Sequence, residues 1–138
     1  YIVEEIRKSN GAVIKTEPQL VREAITPRTA ALLGGMMVSV VEKGHGKRAG
    51  VKGYFVAGKT GTAQIPRQDA KGYEPGATIG TFVGFAPVEN PRFVMLTRID
   101  RPKDVQFAES SAAPLFGEIA KFLLQYWEVK PARLEVRN

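Results

Sequence analysis

The run Gly53-Tyr54-Phe55-Val56-Ala57-Gly58-Lys59-Thr60 constrains this chain more than any other stretch, because it fits two incompatible backbones. Read as G-x-x-x-x-G-K-T, it matches the phosphate-binding P-loop, which needs a glycine-rich loop opening onto a helix N-terminus. The residues between the two glycines are Tyr, Phe, Val and Ala. These favour a pleated strand over a loop of open amides, and Gly61-Thr62-Ala63-Gln64-Ile65-Pro66 cannot begin a helix. No acidic Mg²⁺ partner closes an apolar strand downstream. Residues 54–65 are therefore read as extended, with Pro66 ending the run.

Residues 79–85 and 92–99 are strand-like runs separated by Pro87, Asn90 and Pro91, so the three extended segments form an antiparallel meander. The polar stretch 67–77 between the first two is rich in turn formers and is expected to be mobile. Short β-leaning runs at 1–6 and 12–16 flank Ser9-Asn10-Gly11, where Asn-Gly can take the positive φ angles of a hairpin turn. Thr26 is an N-cap with Pro27 at the first helical position, and Ala30, Leu33, Met37 and Val41 recur at helical spacing. That predicts a helix over Pro27–Lys43, weakened at Gly34-Gly35. A second helix is predicted over Ala112–Tyr126, with Ser111 as N-cap and Leu115, Ile119, Phe122 and Tyr126 as the stripe that packs on the sheet. Residues 133–138 form a charged tail expected to fray. Met36-Met37 reads as core filler and Tyr126-Trp127 as a helix anchor.

The balance of 43% apolar and 25% charged residues is that of a chain with a packed core. The absence of cysteine excludes disulfides and Cys-based zinc sites. No apolar run is long enough to span a bilayer, and the first residues show no charged start followed by an apolar signal core, so any targeting segment is expected to lie outside this chain. The net charge of +6 can steer the chain toward acidic partners but prescribes no chemistry.

The strand Tyr54-Phe55-Val56-Ala57-Gly58-Lys59-Thr60-Gly61-Thr62-Ala63-Gln64 closely resembles the Lys-Thr-Gly strand of class B penicillin-binding proteins. Gly46-Lys47-Arg48-Ala49 lies upstream where that family has a similar run. Thr81-Phe82-Val83-Gly84-Phe85-Ala86-Pro87, Asn90-Pro91 and Ile99-Asp100-Arg101-Pro102 resemble its next two strands, and Ala112-Ala113-Pro114 its closing helix. The resemblance covers nearly the whole chain in order. It implies an α+β fold, the C-terminal portion (1–138) of a penicillin-binding-protein/β-lactamase-like transpeptidase domain, with three antiparallel strands packed by a C-terminal helix. Two strands and a helical subdomain from earlier in such a chain would complete it. Alone, these elements should leave a sheet edge and an apolar face uncovered.

The implied activity is peptidoglycan D,D-transpeptidation in cell wall synthesis, with stem peptides ending in D-Ala-D-Ala and β-lactams as ligands and with no metal or organic cofactor. Lys59 would supply a fixed positive charge; a pair about 4 Å apart interacts by about 4 kcal/mol at a protein-like dielectric. Thr60 would add a hydroxyl, and the two would grip a terminal carboxylate. Gly61 would let the substrate backbone lie against the strand, while the Thr62 amide would be half of the oxyanion hole. Strand alternation sends the Lys59 and Thr60 side chains to opposite faces, so both can serve one cleft only at a twisted or bent rim.

Ser9, Ser39, Ser110 and Ser111 fit neither Ser-x-x-Lys nor Ser-x-Asn, so the chain by itself has no nucleophile and is expected to be inactive. His45 stands where the family often has threonine, and Glu109-Ser110-Ser111 where it often has glycines. His45, with no serine beside it in sequence, reads as a loop residue. The basic residues Lys43, Lys47, Arg48 and Lys52 read as a solvated loop. The implied partners are the preceding part of the transpeptidase domain and cell-division or elongation proteins, at the extracytoplasmic face of the bacterial cytoplasmic membrane. Rival readings are a serine β-lactamase or D,D-carboxypeptidase, separated by deacylation rate, and a non-catalytic scaffold of the same fold, favoured if Ser-x-x-Lys is missing upstream. A basic nucleic-acid module, the last rival, would bind in a salt-sensitive way.

Overall fold

The computed structural model describes residues 3–132. Two compact units are present, one up to Ala30 and one from Ala31 onward. The first holds a hairpin of β1 (Glu5–Arg7) and β2 (Val13–Lys15), paired antiparallel with Ile6 opposite Ile14. Gly11 takes the positive φ of 82° that the turn needs, and the Asn10 Oδ1 accepts from the Ala12 amide at 3.1 Å. The strands are shorter than the expected runs, because a two-stranded ribbon with mostly exposed side chains has little to hold its ends.

Helix α1 spans Pro27–Lys43, the predicted bounds. Its cap forms as expected, with the Thr29 amide donating to Thr26 Oγ1 at 3.2 Å. The buried positions are Gly34, Val38 and Val41, whereas Leu33 and Met36 are exposed. Met36 is thus not core filler. Gly34-Gly35 does not break the helix; a Cβ on Gly34 would lie 3.0 Å from Val88 Cγ2, so the missing side chain admits the turn that carries Val88.

The larger unit is built on the sheet β3–β4–β5: β3 Ala57–Pro66, β4 Tyr73–Ala86 and β5 Phe93–Asp100, antiparallel throughout. The predicted meander is therefore present, with two adjustments. Tyr54 to Val56 precede the strand, in a turn where Gly53 has φ 88° and the Tyr54 amide donates to Val51 O. The stretch 67–77 is not all connection: β4 starts at Tyr73 and pairs it with Pro66 across a register shift, and the Arg67 amide donates to Gly72 O at 3.0 Å. Along β4, Thr78, Gly80, Phe82, Gly84 and Ala86 are all buried, the period-two signature of one packed face.

Helix α2, Ala112–Tyr126, covers that face, again with the predicted bounds. The face it buries is not the predicted one. Ala112, Ala113, Phe116, Gly117, Ala120 and Leu124 are buried, while Leu115, Phe122 and Tyr126 point outward and Phe122 stacks on Tyr126. Close approach decides the matter: Phe116 packs 4.7 Å from Phe82, centroid to centroid, and this geometry requires small residues around it. Ser111 makes no side-chain cap; its hydroxyl donates back to Phe107 O at 3.2 Å. Trp127 does anchor the helix end, 6.1 Å from Phe93. The basic run forms a 3₁₀ turn, Lys47–Ala49, under α2, where a Cβ on Gly117 would lie 2.7 Å from Arg48 O. The expected tail at 133–138 lies outside the described residues.

Candidate active site

Lys59, Thr60, Gly61 and Thr62 all lie on β3, an outer strand whose second edge no described residue pairs. Register with β4 assigns their faces. Lys59 is opposite Val83 and Gly61 opposite Thr81, on the face away from α2; Thr60 is opposite Phe82 and Thr62 opposite Gly80, on the α2 side. The expected conflict between the lysine and threonine directions is resolved at the rim. The lysine curls around the open edge, and its Nζ donates to Thr60 O at 2.9 Å and to Thr60 Oγ1 at 3.3 Å. Ammonium and hydroxyl thus meet, and Lys59 stays exposed.

The backbone follows from the same contact. In an antiparallel strand the N–H and C=O of one residue point to one edge and those of the next to the other. Thr60 O takes the lysine at the open edge, and Gly61 O accepts from Thr81 Oγ1 of β4 at 3.2 Å. The Thr62 amide therefore shares the open edge with Thr60.

Two glycines frame the segment for internal reasons. A Cβ on Gly58 would sit 2.3 Å from Phe82 Cζ, and one on Gly61 would sit 2.6 Å from Thr81 Oγ1. Gly61 thus accommodates a neighbouring strand. The Thr62 side chain is held as well, its Oγ1 accepting from the Ala108 amide at 3.1 Å. Sequence reasoning missed this anchor, because 46 residues separate the partners and no local pattern links them. It also left His45 alone, whereas its Nδ1 lies 2.6 Å from Glu109 Oε2.

Such a site, an open strand edge with a lysine, a hydroxyl and a backbone amide on one rim, backed by a helix-covered antiparallel sheet, defines an α+β module of the transpeptidase type. The model of the penicillin binding protein transpeptidase domain matches residues 1–121, so the chain belongs to that family. It is 38% identical over 127 residues to stage V sporulation protein D of Bacillus subtilis, which covers 91% of this chain and 19% of that protein. Penicillin-binding protein PbpB of Mycolicibacterium smegmatis is 40% identical over 134 residues, covering 90% of the chain and 20% of that protein. The chain therefore spans about a fifth of the length of these relatives. Among solved structures, penicillin binding protein 3 from Mycobacterium tuberculosis complexed with ampicillin superposes with a TM-score of 0.77 at 30% identity, covering 97% of this chain and 32% of that one. The transpeptidase domain of Burkholderia pseudomallei penicillin-binding protein 3 does so with a TM-score of 0.70 at 35% identity, covering 79% and 33%.

Proposed function

We propose that this chain is the C-terminal portion of a D,D-transpeptidase domain and supplies the Lys-Thr-Gly wall of its active site. In the complete enzyme a serine outside this chain attacks the carbonyl between the two D-alanines of a stem peptide. The C–N bond breaks, D-Ala leaves as the protonated amine, and an amine from a neighbouring stem displaces the serine to form the cross-link. Lys59 and Thr60 hold the terminal carboxylate of the donor peptide. The Thr62 amide polarises the carbonyl under attack, and donors of this kind each contribute roughly 2.7–4 kcal/mol to such transition states. The open edge of β3 pairs with the extended peptide. β-Lactams acylate the same serine, their carboxylate lying at Lys59 and Thr60.

The observation that carries this reading is the meeting of the Lys59 ammonium and Thr60 hydroxyl, 3.3 Å apart, on a strand edge that no described residue pairs. The preceding part of the domain is the partner that completes the sheet, and the whole protein works at the extracytoplasmic face of the bacterial cytoplasmic membrane, with cell-division or elongation proteins. The experiment is labelling of the complete protein with a fluorescent penicillin, together with release of D-Ala from a D-Ala-D-Ala donor. Lys59→Ala is expected to lower the acylation efficiency by about 10- to 100-fold, the scale of one lost charge-assisted hydrogen bond. Labelling that does not change in Lys59→Ala would refute the assignment.

A further inference from the structure

The loop 101–111 between β5 and α2 is tied to the strands beneath it. The Arg101 amide donates to Thr78 O at 2.9 Å, and Thr78 Oγ1 donates to Gln106 O at 2.9 Å. The Ala108 amide then donates to Thr62 Oγ1, and Ala108 lies over Gly80, where an added Cβ would be 3.3 Å from its Cα. The next residue, Glu109, reaches out of the loop to His45 Nδ1 at 2.6 Å. His45 follows the C-terminus of α1, so this contact links α1 to the loop that grips the Thr62 side chain.

We propose that His45 and Glu109 are positioning residues for the Thr62 amide: their pair fixes the loop, and the Ala108 amide of that loop locks the Thr62 side chain. This deepens the transpeptidase reading and rests on the Thr62 amide being the donor to the reacting carbonyl. The chain of contacts is short. Glu109 adjoins Ala108, Ala108 bonds Thr62, and the rotation of Thr62 about its backbone sets where its N–H points at the open edge. Such a pair affects the chemical step more than substrate capture, since the carboxylate is held by Lys59 and Thr60 on the other side of Gly61.

The test uses the complete protein and a chromogenic penicillin, with rapid kinetics separating the dissociation constant from the acylation rate constant. The His45 and Glu109 side chains are 84% and 41% exposed, so the effect expected of losing their pair is about two- to fivefold. Glu109→Ala and His45→Ala should lower the acylation constant by that factor and leave the dissociation constant unchanged. Glu109→Gln, which keeps a hydrogen bond to His45, should restore it. In a Thr62→Val background the Ala108 anchor is gone, and Glu109→Ala should have no further effect. Amide exchange at Ala108 should quicken in Glu109→Ala. An unchanged acylation constant, an equal loss with and without the Thr62 hydroxyl, or unchanged exchange at Ala108 would each overturn the proposal. If the unsubstituted protein takes up no penicillin, the transpeptidase reading is what fails, and exchange at Ala108 still decides whether the pair holds the loop.

Discussion

The Lys59 ammonium crosses from one face of β3 to meet a hydroxyl on the other, around a strand edge that no described residue pairs. The Lys-Thr-Gly-Thr segment was legible in the sequence, since it is a local pattern. The function of the flanking glycines was not, because it depends on what lies across the strand. Gly58 makes room for the Phe82 ring. Gly58→Ala is expected to destabilise the protein by about 1–3 kcal/mol, the usual cost of overpacking, seen as a lowered thermal midpoint; an unchanged midpoint would mean that the ring can move aside. At the far end of β5, Arg98 Nε and Nη2 donate to the two Asp100 oxygens at 2.7 and 2.9 Å. This hydrogen bonding, with the nearby arginine charges, holds the Asp100 carboxyl below its ordinary value. A carboxyl lowered on folding stabilises the fold above its unfolded value and loses that contribution as pH falls. Arg98→Ala should raise the Asp100 value, read by carboxyl-carbon NMR titration, and no movement would show that the pair is not formed in solution.

Both long helices have the predicted bounds, since start and stop signals act within a few residues, although of the two expected caps Thr26 makes its side-chain bond and Ser111 does not. Their buried faces were less legible. In α2 the apolar stripe of Leu115, Ile119, Phe122 and Tyr126 is the more regular one, yet the buried face is that of Ala113, Phe116, Gly117 and Ala120, with Phe116 on the sheet and Gly117 on the 3₁₀ turn. Periodicity locates a stripe but cannot weigh bulk against closeness. A helix that packs on Gly84 and the Phe82 ring does best with one large ring and small neighbours, and a Cβ on Gly84 would lie 2.9 Å from Phe116 Cζ. Phe116 is the centre of that contact. Phe116→Ala should cost about 3–5 kcal/mol, whereas Phe122→Ala on the outer stripe should cost far less; equal losses in denaturant unfolding would restore the predicted face.

At the scale of the whole molecule, the sheet face turned away from α2 carries Val83, Val94 and Leu96 at 41%, 75% and 61% exposure. Unpaired edges and bare apolar faces drive association. The isolated chain is therefore expected to elute above monomer size in gel filtration at micromolar concentration and to take up no penicillin, lacking Ser-x-x-Lys. A monodisperse monomer or covalent labelling of the chain alone would contradict this. Because local rules are written in neighbouring residues, the sequence by itself determined the helix limits, the three-stranded order and the Lys-Thr-Gly-Thr segment. Only the tertiary structure decided which helix face is buried, how Lys59 and Thr60 share a rim, and that Thr62 is anchored by Ala108 with Glu109 reaching His45. Those outcomes depend on contacts between segments far apart in the chain, where packing distance and strand register choose among partners that no local pattern names.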